Sequence, residues 1–281
     1  MEQKITSLML AAVLLAAPAL PTEAHTSARK KTETPAVTHP WYGKRVAVLG
    51  DSISDPRHVG TTKCYWEYLA EWLSIQPTVY ARSGNQWTDI LKQAEKLQAE
   101  KGDSIDAILI FAGTNDYNAS VPLGELYTTR NETVQVKGGG METRLKREMQ
   151  TNNRTLRGRI NVVMDYLKTH FPEKQIIVLT PLHRAQAQFS NENIQPSEAY
   201  PNQLGLYVDS YIKVIQETAG VWAVPVIDLH SVSGLYPMND AHTRYFHDER
   251  TDRLHPNAEG HRRMAKTLLY QLLSYPASFS E

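Results

Sequence analysis

The sequence predicts a three-layer α/β/α domain built on a doubly wound, five-stranded parallel sheet. Apolar runs recur at RVAVLG (Arg45 to Gly50), TVYARSG (Thr78 to Gly84), DAILIFAGTND (Asp106 to Asp116), QIIVLTP (Gln175 to Pro181) and AVPVIDL (Ala223 to Leu229). Several are apolar almost without a break, as strands covered on both faces must be. Helical periods lie between them, so the order is a repeated β-α, which packs with right-handed crossovers.

Taken in order, the chain opens with a leader. Lys4 gives a positive start, and LMLAAVLLAAPAL (Leu8 to Leu20) is an apolar run too short to anchor stably across a bilayer. Thr22 and Ala24 suit a small-residue cleavage site, so residues 1–24 read as a signal peptide cut after Ala24, with export to a periplasm or beyond. No cysteine is near enough for lipid anchoring. Residues 25–43 are polar, basic and broken by Pro35 and Pro40, the composition of a disordered linker. Residues 44–281 then form one domain, long enough to bury a substantial core.

After the first strand, KCYWEYLAEWL sets Tyr65, Leu69 and Trp72 at helical spacing. Cys64 is the only cysteine, which excludes an internal disulfide and reads as a packed residue rather than a thiol nucleophile. No histidine or cysteine pair has the close spacing of a structural zinc site, so no metal ligand is assigned. Leu156, Ile160, Val163, Leu167 and Phe171 predict one helix; Leu204, Val208, Tyr211 and Ile215 predict the next. A last helix opens at Pro256, with Ala265, Leu268, Leu269 and Leu272 on one face.

Three connections exceed what a crossover needs: Tyr117 to Asn152, Arg184 to Pro201, and Ser231 to Asp252. Within the first, RLKRE (Arg144 to Glu148) reads as a solvated helical face. The 30 acidic residues balance 30 basic ones, so no overall field gathers nucleic acid or an anionic membrane.

In open α/β sheets ligands bind at the carboxyl ends of strands, where the strand order reverses. With the order 2-1-3-4-5, the first and third strands flank that reversal and end in GDS and GTND. Ser52, Asn115 and Gly84 then face one crevice. A serine hydroxyl becomes a nucleophile when a base takes its proton and a third group holds that base. Asp252 and His255 in TDRLHPNAEGH are three residues apart at a loop-to-helix junction, where the carboxylate can reach the imidazole. The backbone N–H groups of Ser52 and Gly84 and the Asn115 amide could converge on a developing oxyanion. Taken singly, each residue has an ordinary reading: Ser52 a cap, Gly84 a turn, Asn115 a loop side chain, and Asp252 and His255 a cap and a surface histidine. His183, His242 and His247, with Trp87, Tyr236 and Tyr245, read first as structural residues and second as substrate contacts.

GDSIS at Gly50 to Ser54, Gly84 in RSGN, GTND at Gly113 to Asp116 and DRLH at Asp252 to His255 together resemble the four blocks of the SGNH hydrolases, or GDSL-like lipases and acylhydrolases. The resemblance spans about residues 44–274, with Ile53 standing where the alternative family name has leucine. It implies a flavodoxin-like fold and a serine esterase without metal or organic cofactor. It also implies Ser52 as nucleophile, Asp252 and His255 as its triad partners, and an oxyanion hole from Ser52, Gly84 and Asn115. The expected substrate is a short-chain acyl ester, such as an acetyl ester, of a small molecule or carbohydrate. A phospholipase or thioesterase-type acylhydrolase is the enzymatic alternative, and a non-catalytic binding module on the same scaffold the other. The sequence sets no oligomeric state.

Overall fold

The computed structural model describes residues 38–275, so the expected signal peptide and most of the linker lie outside the described residues. The packed chain begins before Lys44, however. Trp41 is fully buried, and His39 Nε2 is 2.8 Å from the Leu269 carbonyl, so this end of the expected linker belongs to the domain. A large indole is too costly to leave in water when a core is adjacent.

The central sheet holds β1 (Arg45–Gly50), β2 (Gln76–Val79), β3 (Ala107–Phe111), β6 (Gln175–Leu179) and β9 (Val226–Ile227) in the order β2-β1-β3-β6-β9, all parallel. Counting these five alone, that is the expected 2-1-3-4-5. Alternate residues point to opposite faces, and both faces are apolar. Ala47, Leu49, Ile108, Ile110, Ile176 and Val178 join the core beneath α2 (Trp87–Lys101), α4 (Leu156–His170) and α5 (Val208–Val221). Val46, Val48, Leu109, Phe111, Ile177 and Leu179 join the core beneath α1 (Tyr65–Leu73) and α7 (Ala258–Gln271). The continuous apolar runs are therefore two interleaved patterns, one for each helix layer. The short helices α3 (Thr114–Asn118) and α6 (Leu229–Val232) lie at the carboxyl ends of β3 and β9.

Several expected boundaries move. β2 begins at Gln76, two residues before the apolar run, but its pairing outlasts the strand: Tyr80 N–H donates to Val48 O and Arg82 N–H to Gly50 O. Leu204 is exposed ahead of α5, which starts only at Val208. Pro256 does not open the last helix. It ends strand β11 (Asp252–Pro256), and Asn257 caps α7 by accepting from Glu259 N and Gly260 N. A four-stranded sheet in the order β10-β11-β7-β8 joins β11 to β10 (Phe246–Asp248), β7 (Ala187–Gln188) and β8 (Ile194–Gln195).

The RLKRE cluster is not helical. It lies on β5 (Met141–Met149), which pairs antiparallel with β4 (Tyr127–Gln135) in a ribbon that, among the described residues, has two strands only. Cross-strand ion pairs such as Arg130–Glu148 and Lys146–Glu132 satisfy the charges where a helix would have used neighbours one turn apart. The ribbon's base is pinned: Gln150 N–H donates to Leu126 O, and the buried Asn161 amide donates to Gln150 O at 2.9 Å. Both faces of the ribbon are largely exposed, so it contributes little to the core. Excising residues 127–149 and bridging Leu126 to Gln150 with a short Gly-Ser turn is expected to lower Tm by no more than about 2–4 °C, the equivalent of ~1 kcal/mol. Thermal unfolding followed by circular dichroism measures it.

Candidate active site

β1 stops at Gly50, and Asp51 caps a single 3-10 turn, Ser52–Ser54, by accepting from Ile53 N at 3.1 Å. This sharp turn carries Ser52 to the carboxyl end of the sheet. Ser52 Oγ lies 2.9 Å from His255 Nε2, and His255 Nδ1 lies 2.9 Å from Asp252 Oδ2. The other Asp252 oxygen accepts from Leu254 N and His255 N at 3.1 and 3.0 Å, which fixes the carboxylate's orientation. All three residues are at most 5% exposed. Burial pushes the Asp252 carboxyl up, but the His255 hydrogen bond and charge with the two backbone N–H groups outweigh it and hold the group below its ordinary value. Such a carboxylate stays ionised and suits an imidazole held as its Nδ1–H tautomer.

The strand β11 brings Asp252 and His255 into place, since its pairing with β10 and with Ala187 of β7 fixes its course. Gly60 lies against His255 from another side. A Cβ there would come within 2.7 Å of His255 Cβ, and the residue's φ of +72° is in the left-handed region. Only glycine lets this loop pass so close.

Three sequence blocks are tied together beside Ser52. Gln93 accepts from Gly50 N–H and donates to Gly50 O and to Asn85 Oδ1, each at 2.8 Å. Asn115 Nδ2 donates to Asn85 O at 2.9 Å, and Ser83 N–H donates to Asp55 Oδ2 at 2.7 Å. Gly84 lies between Ser83 and Asn85 with φ +80° and open space where a side chain would stand. Among the described residues, no acceptor takes the N–H of Ser52 or of Gly84. An amide nitrogen carries two hydrogens, so Asn115 retains one beyond the bond that anchors it.

Gln93 is the polar residue on the otherwise apolar buried face of α2, with Trp87, Ile90, Ala94 and Leu97. Replacing it by leucine would strand the buried Gly50 N–H, whereas Gly50 O keeps the Arg82 N–H. One such loss costs about 1–3 kcal/mol. Gln93→Leu is therefore expected to lower Tm by about 3–9 °C in a thermal melt.

Asp116 is a structural acid: its oxygens accept from Trp87 N at 3.0 Å and from Arg159 at 2.8 Å. Burial pushes it up to about 6 against those two contacts. Asp51, next to the serine, is fully buried with Oδ2 unpartnered, and burial pushes it up to about 7. A carboxyl raised on folding binds its proton more tightly in the native state, so the stability it contributes falls as pH rises from about 4 through 7. Asp51→Asn removes that group. Its Tm relative to the parent is expected to rise between pH 5 and pH 8, as paired thermal melts across that range would show.

The remaining candidates are structural in their contacts. His183 Nδ1 is 2.6 Å from Glu198, His242 accepts from Tyr236 N–H, and His247 is 3.0 Å from Gly60 O. Trp87 is core, whereas Tyr236 is exposed and Tyr245 packs partly against the core. Cys64 is buried ahead of α1, and burial pushes its thiol up to about 12. Phe189, absent from the sequence reading, is exposed on the β7–β8 loop with its ring 5.4 Å from that of His255. Among the described residues, no helix is long and apolar enough to cross a membrane.

Residues 48–263 match the GDSL-like Lipase/Acylhydrolase family. Among solved structures, a protein from Lactobacillus plantarum is 26% identical with a TM-score of 0.65, covering 83% of this chain and 98% of that one. A possible lipase from Chitinophaga pinensis is 18% identical, with a TM-score of 0.61 over 82% of this chain and 98% of that one. A lipase/acylhydrolase from Enterococcus faecalis is 16% identical, with a TM-score of 0.50 over 82% and 96%. No curated protein matches the chain. With the family match covering most of the chain, and the fold shared with these structures, the chain belongs to the GDSL-like lipase/acylhydrolase family of hydrolases.

Proposed function

We propose that this chain is an exported serine esterase that removes a short acyl group, acetyl being the simplest, from a carbohydrate or other small alcohol. The observation that carries the reading is the hydrogen-bonded line from Ser52 Oγ through His255 to Asp252. In the mechanism, His255 Nε2 takes the hydroxyl proton as Ser52 Oγ attacks the ester carbonyl. The N–H groups of Ser52 and Gly84 and the Asn115 amide stabilise the oxyanion that forms. Collapse breaks the bond to the alcohol, which leaves with the proton held on His255. Water, deprotonated by the same imidazole, then attacks the acyl-Ser52 ester; its collapse frees the acid and restores the serine.

The exposed Phe189 ring beside His255 offers a small apolar contact for an acyl methyl. Export is proposed from the leader at residues 1–24.

Release of nitrophenol from acetyl, butyryl and octanoyl esters, with acetate release from an acetylated polysaccharide, tests the chemistry and the chain-length preference. Turnover should be greatest on acetyl and be removed by an organophosphate that labels Ser52. A preference for octanoyl would favour the lipase reading, and no turnover on any ester would leave a binding module. Mass spectrometry of protein secreted by a bacterial host should find His25 at the N-terminus.

A further inference from the structure

After the carboxyl ends of β6 and β9, and outside the Ser52–His255–Asp252 line, His183, Glu198 and His230 each bring one potential ligand atom into a single cluster. The three atoms all lie within 4.8 Å of one another. We propose that they form a binding site for a first-row divalent cation, zinc foremost, which clips the loop after β6 to the start of α6.

A hydrogen bond between His183 Nδ1 and Glu198 Oε1, at 2.6 Å, accounts for two of the three residues. It leaves His230 unexplained. The His230 ring stands with its centroid 3.5 Å from that of His183, tilted by 34°, and its Nδ1 is buried without a hydrogen-bond partner. Two imidazoles this close cannot both be cationic without strong repulsion, and a buried ring nitrogen left unpaired is costly. A cation at the shared edge of the two rings, beside Glu198, removes both difficulties, because each imidazole then turns an in-plane lone pair to it instead of a proton.

The surroundings are ordered as ligand supports are. Glu198 Oε2 accepts from Arg184 N–H at 2.9 Å, which fixes the carboxylate while its other oxygen faces the histidines. His230 N–H donates to Thr180 Oγ1, and the Tyr236 ring meets His183 edge-on. Asp209 Oδ1, 4.0 Å from His230 Nε2, and Asp228, bonded to Thr180 and Ser231, add negative charge nearby. Two imidazoles and one carboxylate suit zinc and its first-row neighbours better than magnesium or calcium, and three protein ligands leave a position for water. In a tetrahedral site, ligand atoms about 2.0–2.1 Å from the metal lie roughly 3.3 Å apart, so closing this cluster needs side-chain shifts of order 1 Å. The spacing of 183, 198 and 230 matches no short zinc motif, so the sequence alone gave no sign of it.

The ion's effect is structural. The loop it fixes carries Ala187, which pairs with Asp252 in the small sheet. The inference does not depend on the esterase reading, because its readout is binding and stability.

The experiment uses tag-free protein stripped with chelator, then titrated with zinc chloride while melting is followed, with bound metal counted by mass spectrometry after dialysis. The parent should retain one zinc per chain and gain about 5–10 °C in Tm at a hundredfold excess over Kd. Glu198→Gln and His230→Gln keep the shape of the site. Each should melt near the stripped parent and lose most of the zinc-dependent gain. A parent that retains no zinc overturns the proposal without reference to any variant. So does an undiminished gain in the Glu198→Gln/His230→Gln double variant, or a gain abolished instead by His58→Asn, which would place the ion beside Cys64 and Glu67.

Discussion

Ser52→Ala and His255→Ala are each expected to reduce kcat/KM for an activated ester by about 10⁴–10⁶, and the double variant is expected to be no slower than the worse of the two. The reason is the single proton path between Ser52 Oγ and His255 Nε2, 2.9 Å apart. Removing the hydroxyl removes the nucleophile; removing the imidazole leaves a hydroxyl that is almost wholly protonated at neutral pH. Either change breaks the same step, so a second change has nothing left to remove. What persists is oxyanion stabilisation and binding, which neither substitution touches directly. Ser52→Ala deletes one oxygen from a buried turn whose cap is supplied by Asp51, so the fold should be retained and Tm little changed. His255→Ala opens a cavity beside Gly60 and Phe189, so His255→Gln, which fills the space, serves as its control. Kinetics with each variant, corrected for spontaneous hydrolysis, provide the check. A double variant slower than both singles by an order of magnitude would show that the two residues act independently and would overturn the assignment.

The parts of the fold legible in the sequence were those whose environment imposes a composition. β1, β3 and β6 are buried on both faces, so every residue from Val46 to Leu49 and from Ala107 to Phe111 must be apolar or small, and the runs announce themselves. The blocks after β1, β2 and β3 stood out because each lies where the chain turns off a strand and backbone geometry restricts the residue type, as at Gly84 with φ +80°. The β4–β5 ribbon was not, because a two-stranded ribbon exposed on both faces has no apolar period to read. Its charges favour a helix locally, and only cross-strand partners such as Glu132 and Lys146 show otherwise. The strand character of DRLHP was hidden for a related reason: its partners, Phe246 to Asp248 and Ala187, are set by tertiary pairing that no local pattern encodes.

The polar interior was the least legible. Arg184 is fully buried, donates to Thr114 Oγ1 and Gln195 Oε1 at 3.0 Å each, and lies over the Tyr117 ring. A lone arginine after a strand reads as solvent-facing. Its burial makes sense only once Thr114, in the block that carries Asn115, is seen to depend on it. Burial lowers its guanidinium to about 10, still charged at neutral pH, and it partly offsets the cost of the buried Asp51 carboxyl.

Asn115→Ala is expected to lower kcat by about 10²–10³, or roughly 3–4 kcal/mol, with KM little changed. The side chain has two possible contributions. Its Nδ2 donates to Asn85 O at 2.9 Å, a bond that shapes the turn containing Gly84, and losing a single neutral hydrogen bond costs about 0.5–1.5 kcal/mol of stability. If that were its whole role, folded variant enzyme would turn over nearly as the parent does and only Tm would fall. The second amide hydrogen is the one proposed to meet the oxyanion. The negative charge it stabilises is small in the bound ester and large in the tetrahedral intermediate, so its loss falls on kcat and spares KM. Asn115→Asp separates the two roles further: it keeps the size and removes the donor, and its charge should repel the oxyanion, making it slower than alanine. Ser52 and His255 remain in contact in both variants, so labelling of Ser52 by an organophosphate should continue while ester turnover collapses. Steady-state kinetics and mass spectrometry of the labelled protein measure the two effects separately. A folded Asn115→Ala enzyme with kcat within a few-fold of the parent would remove the amide from the oxyanion site and leave its bond to Asn85 as its only function.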